Sequence, residues 1–192
     1  MSKLTKDFYT RPDVVEISKD LLGKHLFTKI DNKITAGIIT ETEAYAGISD
    51  KASHAYNNRR TQRTEVIYAE GGIAYVYLCY GIHHLFNVVT NKKDKPHAVL
   101  IRAIKPIEGI DIILKRRSQK KVSPTTSGGP GTLSQSLSIK TTHTGIDLTG
   151  NKIWIEDRGI KIKKNQITIG PRIGVDYAKE DALLPYRFII KL

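Results

Sequence analysis

Between residues 26 and 45 the chain runs in short β-branched stretches broken once, at Asp31-Asn32, and closes on Ile38-Ile39-Thr40-Glu41-Thr42-Glu43-Ala44-Tyr45. This segment predicts a β-hairpin that turns at Asp31-Asn32. Side chains alternate along a strand, so Glu41, Glu43 and Tyr45 share one face while Thr42 and Ala44 share the other. Two unpaired carboxylates are too costly to bury. Their face must therefore be solvated, paired with cations, or the floor of a polar cleft. Whatever the fold, it has a sheet with one unusual polar surface.

The remaining elements read as parts of the same body. After Pro12-Asp13, residues 12–24 place Val14, Ile17, Leu21 and Leu22 at helical spacing, with Gly23 as a stop. Residues 73–78 and 85–90 read as strands around a connection containing Gly81, and residues 98–104 as another. A helix is expected from Pro106, with Ile107, Ile110, Ile113 and Leu114 inward, ending in the basic run 115–121, whose cations suit the carboxyl end of a helix dipole. Ser127-Gly128-Gly129-Pro130-Gly131 is the best candidate for an internal linker, ahead of a short helix with Leu133, Leu137 and Ile139. Strand signals recur at 153–155 and 160–162. The stretch after the glycines is short for a second core, so a single domain over residues 1–192 is expected.

Charge narrows the partners. Lys plus Arg number 31 against 19 Asp plus Glu, a net charge of +12. Self-repulsion of this size works against a compact state, which points to an anionic partner such as nucleic acid. The longest nearly apolar run, residues 74–82, includes three tyrosines and is far short of the roughly 20 residues that span a bilayer, so no membrane partner is expected. Residues 1–11 lead into Pro12-Asp13 and not into an apolar stretch, which is unlike a secretory signal. The single cysteine, Cys79, excludes an internal disulfide, and the ligand spacing of a zinc site is missing. A reducing, cytoplasmic setting with no metal or cofactor is the expectation. The glycine-rich loop lacks the Gly-Lys-Ser/Thr ending of a phosphate-binding P-loop.

Six of the nine tyrosines, Tyr45, Tyr56, Tyr68, Tyr75, Tyr77 and Tyr80, fall in one window with His54, His83 and His84. Arg59, Arg60 and Arg63 lie in the same window. Flat rings interleaved with cations can stack bases and neutralise phosphates, whereas a purely structural sheet would use more Val, Ile and Phe. A carboxylate, aromatic walls and a basic surface together point to hydrolysis at a nucleoside. Cys79 and His83 are four apart, but a lone Cys in an apolar strand is usually a small core residue.

The segments Glu41-Thr42-Glu43-Ala44-Tyr45, Ala52-Ser53-His54, Tyr75-Val76-Tyr77-Leu78-Cys79-Tyr80-Gly81, Phe86-Asn87-Val88, Leu100-Ile101-Arg102-Ala103, Gly129-Pro130-Gly131-Thr132 and Gly170-Pro171-Arg172-Ile173-Gly174-Val175-Asp176-Tyr177 resemble, in order and spacing, the 3-methyladenine DNA glycosylases of the alkyladenine (methylpurine) type. The resemblance runs from about residue 10 to the C-terminus. It implies an α+β single domain with a curved antiparallel, partly barrel-like sheet, peripheral helices and a protruding tyrosine-tipped hairpin. It implies also a monofunctional base-excision repair enzyme acting on duplex DNA that contains damaged purines; separately, a monomer in a bacterial cytoplasm is the expectation.

Matched residue by residue, Glu43 is the family's general base and Arg102 the arginine beside it, whose charge should keep Glu43 ionised. Tyr45, His54 and Tyr77 match the residues that sandwich the extruded base. Asn87 matches the one set against the purine edge. Tyr80 matches the wedge that fills the gap left by the flipped nucleotide. Arg59 and Arg63 are assigned to the DNA backbone. Glu41 has no counterpart role and stands as a supporting or surface residue. Thr132 departs from the family's usual lysine, and His83 from a large apolar residue. The rival readings are a non-catalytic basic DNA- or RNA-binding module and a hydrolase of free nucleosides.

Overall fold

The structure, a computed structural model, describes residues 2–192. In chain order it contains β1 (Ser2–Lys3), α1 (Lys6–Tyr9), α2 (Val14–Asp20), β2 (His25–Ile30), β3 (Lys33–Tyr45), β4 (Ala74–Cys79), β5 (His83–Thr90) and β6 (His97–Glu108). Then follow α3 (Ile110–Arg116), α4 (Pro124–Ser127), α5 (Pro130–Leu137), β7 (Ile153–Asp157), β8 (Thr168–Gly170) and β9 (Arg187–Ile189), with several single-turn helices in the loops. The expected hairpin is present: β2 and β3 pair from Ile30–Lys33 outward, and Asp31 and Asn32 take φ of 52° and 57°, the left-handed pair that a two-residue turn needs. In α2, which follows Pro12-Asp13 as expected, the Asp13 carboxylate accepts from the amides of Val15 and Glu16 and caps the helix.

All nine strands join one antiparallel sheet in the order β1-β7-β2-β3-β6-β5-β4, with β9 on β3 and β8 on β9, and the sheet does not close into a barrel. The chain is a single α+β domain, as expected. Strand β3 is its spine. β6 lies along one edge of β3, while the other edge belongs to β2 up to Ile38 and to β9 from Glu41 to Glu43. That change of partner brings the C-terminal part of the chain to the carboxylates.

The core lies under α2, α3 and α5, where Ile17, Leu21, Leu26, Ile39, Phe86, Val99, Ile101, Ile113, Leu133, Leu137 and Phe188 are closed to solvent. Each such aliphatic or phenyl side chain contributes about 1.5–3 kcal/mol on leaving water. Thr42 faces this side. Its hydroxyl donates to the Ser18 carbonyl of α2 at 2.9 Å and receives the Ser18 hydroxyl at 3.0 Å. Glu41, Glu43 and Tyr45 face the other way.

Three expectations are corrected. No helix starts at Pro106: it pairs with Gly37 inside β6, beside the unpaired Ile107, and the chain turns only at Gly109. A proline with no N–H is tolerated there because the ladder is already broken by a bulge. Residues 160–162 form no strand. Ile160 and Ile162 instead cover the turn at Gly23. The glycine-rich segment is no linker either. Ser127 is buried and donates to the Ile104 carbonyl at 2.7 Å, and Gly129 and Pro130 open α5. Among the described residues no helix is long and apolar enough to cross a membrane.

Candidate active site

Glu43 is fully buried, on the spine strand. Its Oε1 accepts the backbone amide of Ile173 at 2.8 Å, its Oε2 accepts the Tyr45 hydroxyl at 2.9 Å, and Arg102 Nη1 stands 3.4 Å from Oε1. Arg102 gets there by a defect in the ladder. Ala103 pairs with Glu41 and Ile101 with Thr42, so Arg102 is the extra residue of a β-bulge, which redirects its side chain. Its Nε donates to Glu41 Oε1 at 2.9 Å, and the same oxygen receives Arg187 Nη1 at 3.2 Å. The two carboxylates on one strand face are therefore paired with two arginines from neighbouring strands.

The expectation that Arg102 simply keeps Glu43 ionised needs correction. Burial pushes the Glu43 carboxyl upward, and Arg102, the Ile173 amide and the Tyr45 hydroxyl recover only part of the shift, so its proton affinity ends above that of an ordinary glutamate. Burial opposes the Arg102 charge too, but Glu43 and Glu41 outweigh it and the guanidinium holds its proton more tightly than usual.

Tyr45, Arg102 and Ile173 form the wall between Glu43 and a cavity of about 450 Å³. His54, Tyr75, Tyr77, Leu85 and Asn87 line the same cavity, with Tyr80 and His83 at its hairpin side and Tyr177 opposite. The residues matched to the base pocket are thus brought together. His54 and Tyr77 meet edge to face with ring centres 4.7 Å apart. Tyr75 lies against both and shares a 2.9 Å hydrogen bond with His54 Nδ1. Burial, with Arg63 and Arg59 nearby, lowers the His54 pKa to about 4, so the ring is neutral at physiological pH. Burial raises Tyr75 to about 12, which leaves its hydroxyl protonated. Asn87 is buried, and its Nδ2 donates to the carbonyls of Tyr75 and Leu85, both at 3.2 Å. Those two bonds use both amide hydrogens and fix the side chain against the cavity wall.

The hairpin of β4 and β5 carries Tyr80 at its tip. Cys79 pairs with His83, the Ile82 amide returns to the Cys79 carbonyl at 3.2 Å, and Tyr80 and Gly81 adopt φ of 51° and 73°. This is a tight turn that normally takes Asn-Gly. Tyr80 is 89% exposed, with Leu78 and Ile82 exposed beside it. Just behind the tip, His83 rests on α5, where a Cβ on Gly131 would come within 2.8 Å of the imidazole.

Of the basic residues, Arg59 and Arg63 sit on the His54 side of the cavity, and Arg59 lines a second hollow with Lys51, Tyr56 and Tyr177. Arg60 does not join them. It is spent on Glu65 and Asp94 and lies over the Tyr68 ring. Thr132 is spent as well, its hydroxyl donating to the Gly129 carbonyl and receiving the Gly129 amide at the start of α5.

The residues matched from the family motifs leave out one support. Arg172, inside the motif Gly170-Pro171-Arg172-Ile173, is buried and grips Asp50 with both terminal nitrogens at 2.5 and 2.8 Å. It also donates to the Ala44 carbonyl and lies over the ring of Tyr45. The pair locks the loop after β3 to the segment that delivers the Ile173 amide to Glu43. A glycine-flanked arginine in a quoted motif was the signal for it. Among the described residues, no three His, Cys, Asp or Glu side chains gather as a metal site would require.

A paired carboxylate behind an aromatic cavity, on a molecule with a large positive excess, is the outfit of an enzyme that hydrolyses a bond to a flat heterocycle held on a polyanion. The class is a DNA glycosylase. The chain matches the family described as methylpurine-DNA glycosylase over residues 7–192, and it belongs to that family. Among its relatives are proteins named "Putative 3-methyladenine DNA glycosylase" from Chlamydia felis, 48% identical over 98% of this chain and 96% of the relative, and from Clostridium novyi, 43% identical over 100% and 96%. DNA is the partner that this membership implies.

Proposed function

We propose that the protein excises alkylated or deaminated purines, of the 3-methyladenine, 7-methylguanine, hypoxanthine and ethenoadenine class, from duplex DNA by simple hydrolysis. The nucleotide leaves the helix, Tyr80 enters the gap, and the base is held between Tyr45 and the pair His54 and Tyr77. Glu43 takes a proton from water as the water oxygen bonds to C1′. The C1′–N9 bond breaks with its electron pair going to the purine. Asn87 stands against the purine edge, and Arg59 and Arg63 neutralise phosphates.

One observation carries this reading: a fully buried carboxylate, held by the Ile173 amide, the Tyr45 hydroxyl and Arg102, directly behind a cavity walled by aromatic rings. Oε2, which accepts only the Tyr45 hydroxyl, keeps a further lone pair to receive a water. The elevated proton affinity of Glu43 suits a base, because a stronger base takes the proton more readily.

Duplex DNA with 7-methylguanine, incubated in a chelator, should lose free base. Glu43→Gln should bind the same duplex and excise it at least about 100-fold more slowly, the usual contribution of general base catalysis. Excision within about tenfold of the wild-type rate would remove Glu43 from the role. Binding by the wild type without release would support the non-catalytic binding module instead.

A further inference from the structure

Glu41 lies one strand repeat from Glu43 on the same face of β3, and both are paired with the same arginine. Arg102 Nε points to Glu41 at 2.9 Å while Nη1 reaches Glu43 at 3.4 Å. The shorter contact, made by the nitrogen nearest the chain, is with Glu41 and not with the fully buried Glu43. Arg102 is the extra residue of a bulge, so its side-chain bonds help to fix its direction. Glu41 is itself held from the other edge by Arg187 Nη1 at 3.2 Å, and Arg187 Nε donates to the Pro171 carbonyl at 2.9 Å. Pro171 is two residues from the amide that caps Glu43 Oε1. Glu41 is thus the shared anchor of two of the groups that hold Glu43.

We propose that Glu41 is a positioning residue for the excision reaction: by holding Arg102 through Nε it sets where Nη1 stands beside Glu43, and by the tie through Arg187 it steadies the segment that carries the Ile173 amide. The proposal rests on Glu43 being the base. It also gives Glu41 an electrical effect on that base. The groups facing Glu43 are Tyr45 and Glu41 on its own strand, Arg102 on β6, Arg187 opposite it on β9, Tyr77 on β4, and Arg172 and Tyr177 from the C-terminal segment. Glu41 is the second anion among them.

Two variants separate position from charge. Glu41→Gln keeps an oxygen for Arg102 Nε and removes the negative charge; Glu41→Ala removes both. Single-turnover excision of a 7-methylguanine duplex is measured across pH, with lesion binding and thermal unfolding alongside. In Glu41→Gln the rate at neutral pH should stay within about threefold of wild type, and the acidic limb of the profile should move to lower pH, since less repulsion leaves Glu43 ionised further down. In Glu41→Ala the rate should fall about tenfold or more with lesion affinity kept, because a misplaced group loses the transition state and not the ground-state complex.

The idea is overturned by an Ala variant as fast as wild type, by a Gln variant as slow as Ala, or by a Gln variant whose acidic limb does not move. A lowered melting temperature with rate and limb unchanged also overturns it, since that marks a merely structural ion pair. Glu43→Gln run in parallel separates the two levels: if it retains activity the base assignment fails, whereas if it is dead and the Glu41 variants behave as wild type, the positioning role alone fails.

Discussion

His54 shows how enclosure decides the chemistry of one side chain. An imidazole on the surface would be partly cationic near neutrality, but here burial and the charges of Arg63 and Arg59 lower its pKa to about 4. A neutral ring stacks against a base without repelling an alkylated, positively charged purine. The same shift has a thermodynamic consequence. As pH falls below 6.5 the unfolded chain takes a proton at His54 that the folded one refuses until about pH 4, so stability is lost across that window, by up to about 3 kcal/mol. Replacing His54 by Asn should flatten the pH dependence of the unfolding free energy between pH 6.5 and 4, measured by urea titration. Parallel curves for the two proteins would mean that His54 titrates normally. Sequence alone located this residue through its neighbours in a motif. Its protonation state depends on Tyr75, Arg59 and Arg63 closing around it, and no local pattern contains that.

At the scale of elements, the β4–β5 hairpin and the bulge in β6 place the two ends of the site. The tip puts a tyrosine at φ 51° with its ring in solvent, so the strain of a left-handed aromatic residue, of order 1 kcal/mol or more, is not offset by any packing. Exposed Leu78, Tyr80 and Ile82 together would be a liability on a surface with nothing to enter. Tyr80→Asn replaces the ring by a residue that this turn prefers. It should raise the unfolding midpoint by about 2–4 °C in a thermal melt while diminishing the fluorescence change on binding an ethenoadenine duplex. A variant that is both more stable and equally able to flip the base would remove Tyr80 from the wedge role. The turn was legible as Tyr80-Gly81, because glycine in such a position has few other uses. The bulge was not. Arg102 sits in an apolar run where alternation gives no warning that one residue is left out of the ladder, and the same blindness turned Pro106, beside a second bulge, into a supposed helix start.

For the molecule as a whole, the +12 charge is unevenly available. Arg60 is bound to Glu65 and Asp94, Arg116 to the Ser136 carbonyl, and Arg117 to the carbonyls of Thr125 and Thr126, so the basic run at the end of α3 gives its arginines to internal structure. Arg59 and Arg63 make no ion pair among the described residues and flank the cavity. Binding to undamaged duplex should weaken linearly in a log–log plot against salt. Arg59→Ala and Arg63→Ala should each lower that slope by about 0.9, one phosphate's worth, while Arg60→Ala leaves it unchanged. Equal losses from all three would show a diffuse field in place of specific contacts. Under the proposed function, affinity rests on a few free cations and selection of the damaged base on the uncharged wall of the cavity.

What the sequence determined by itself was local and periodic: the hairpin at Asp31-Asn32, the face shared by Glu41, Glu43 and Tyr45, the tyrosine-rich window, and the order of motifs that marks the family. These survive because strand alternation and turn chemistry act between neighbours. The tertiary structure decided everything that depends on a partner far along the chain. It paired the two carboxylates with Arg102 and Arg187, locked Arg172 on Asp50, and brought the Ile173 amide to Glu43. Burial and charge act through space, so a carboxylate on a strand gains a raised proton affinity only when strands from the middle and the end of the chain close around it.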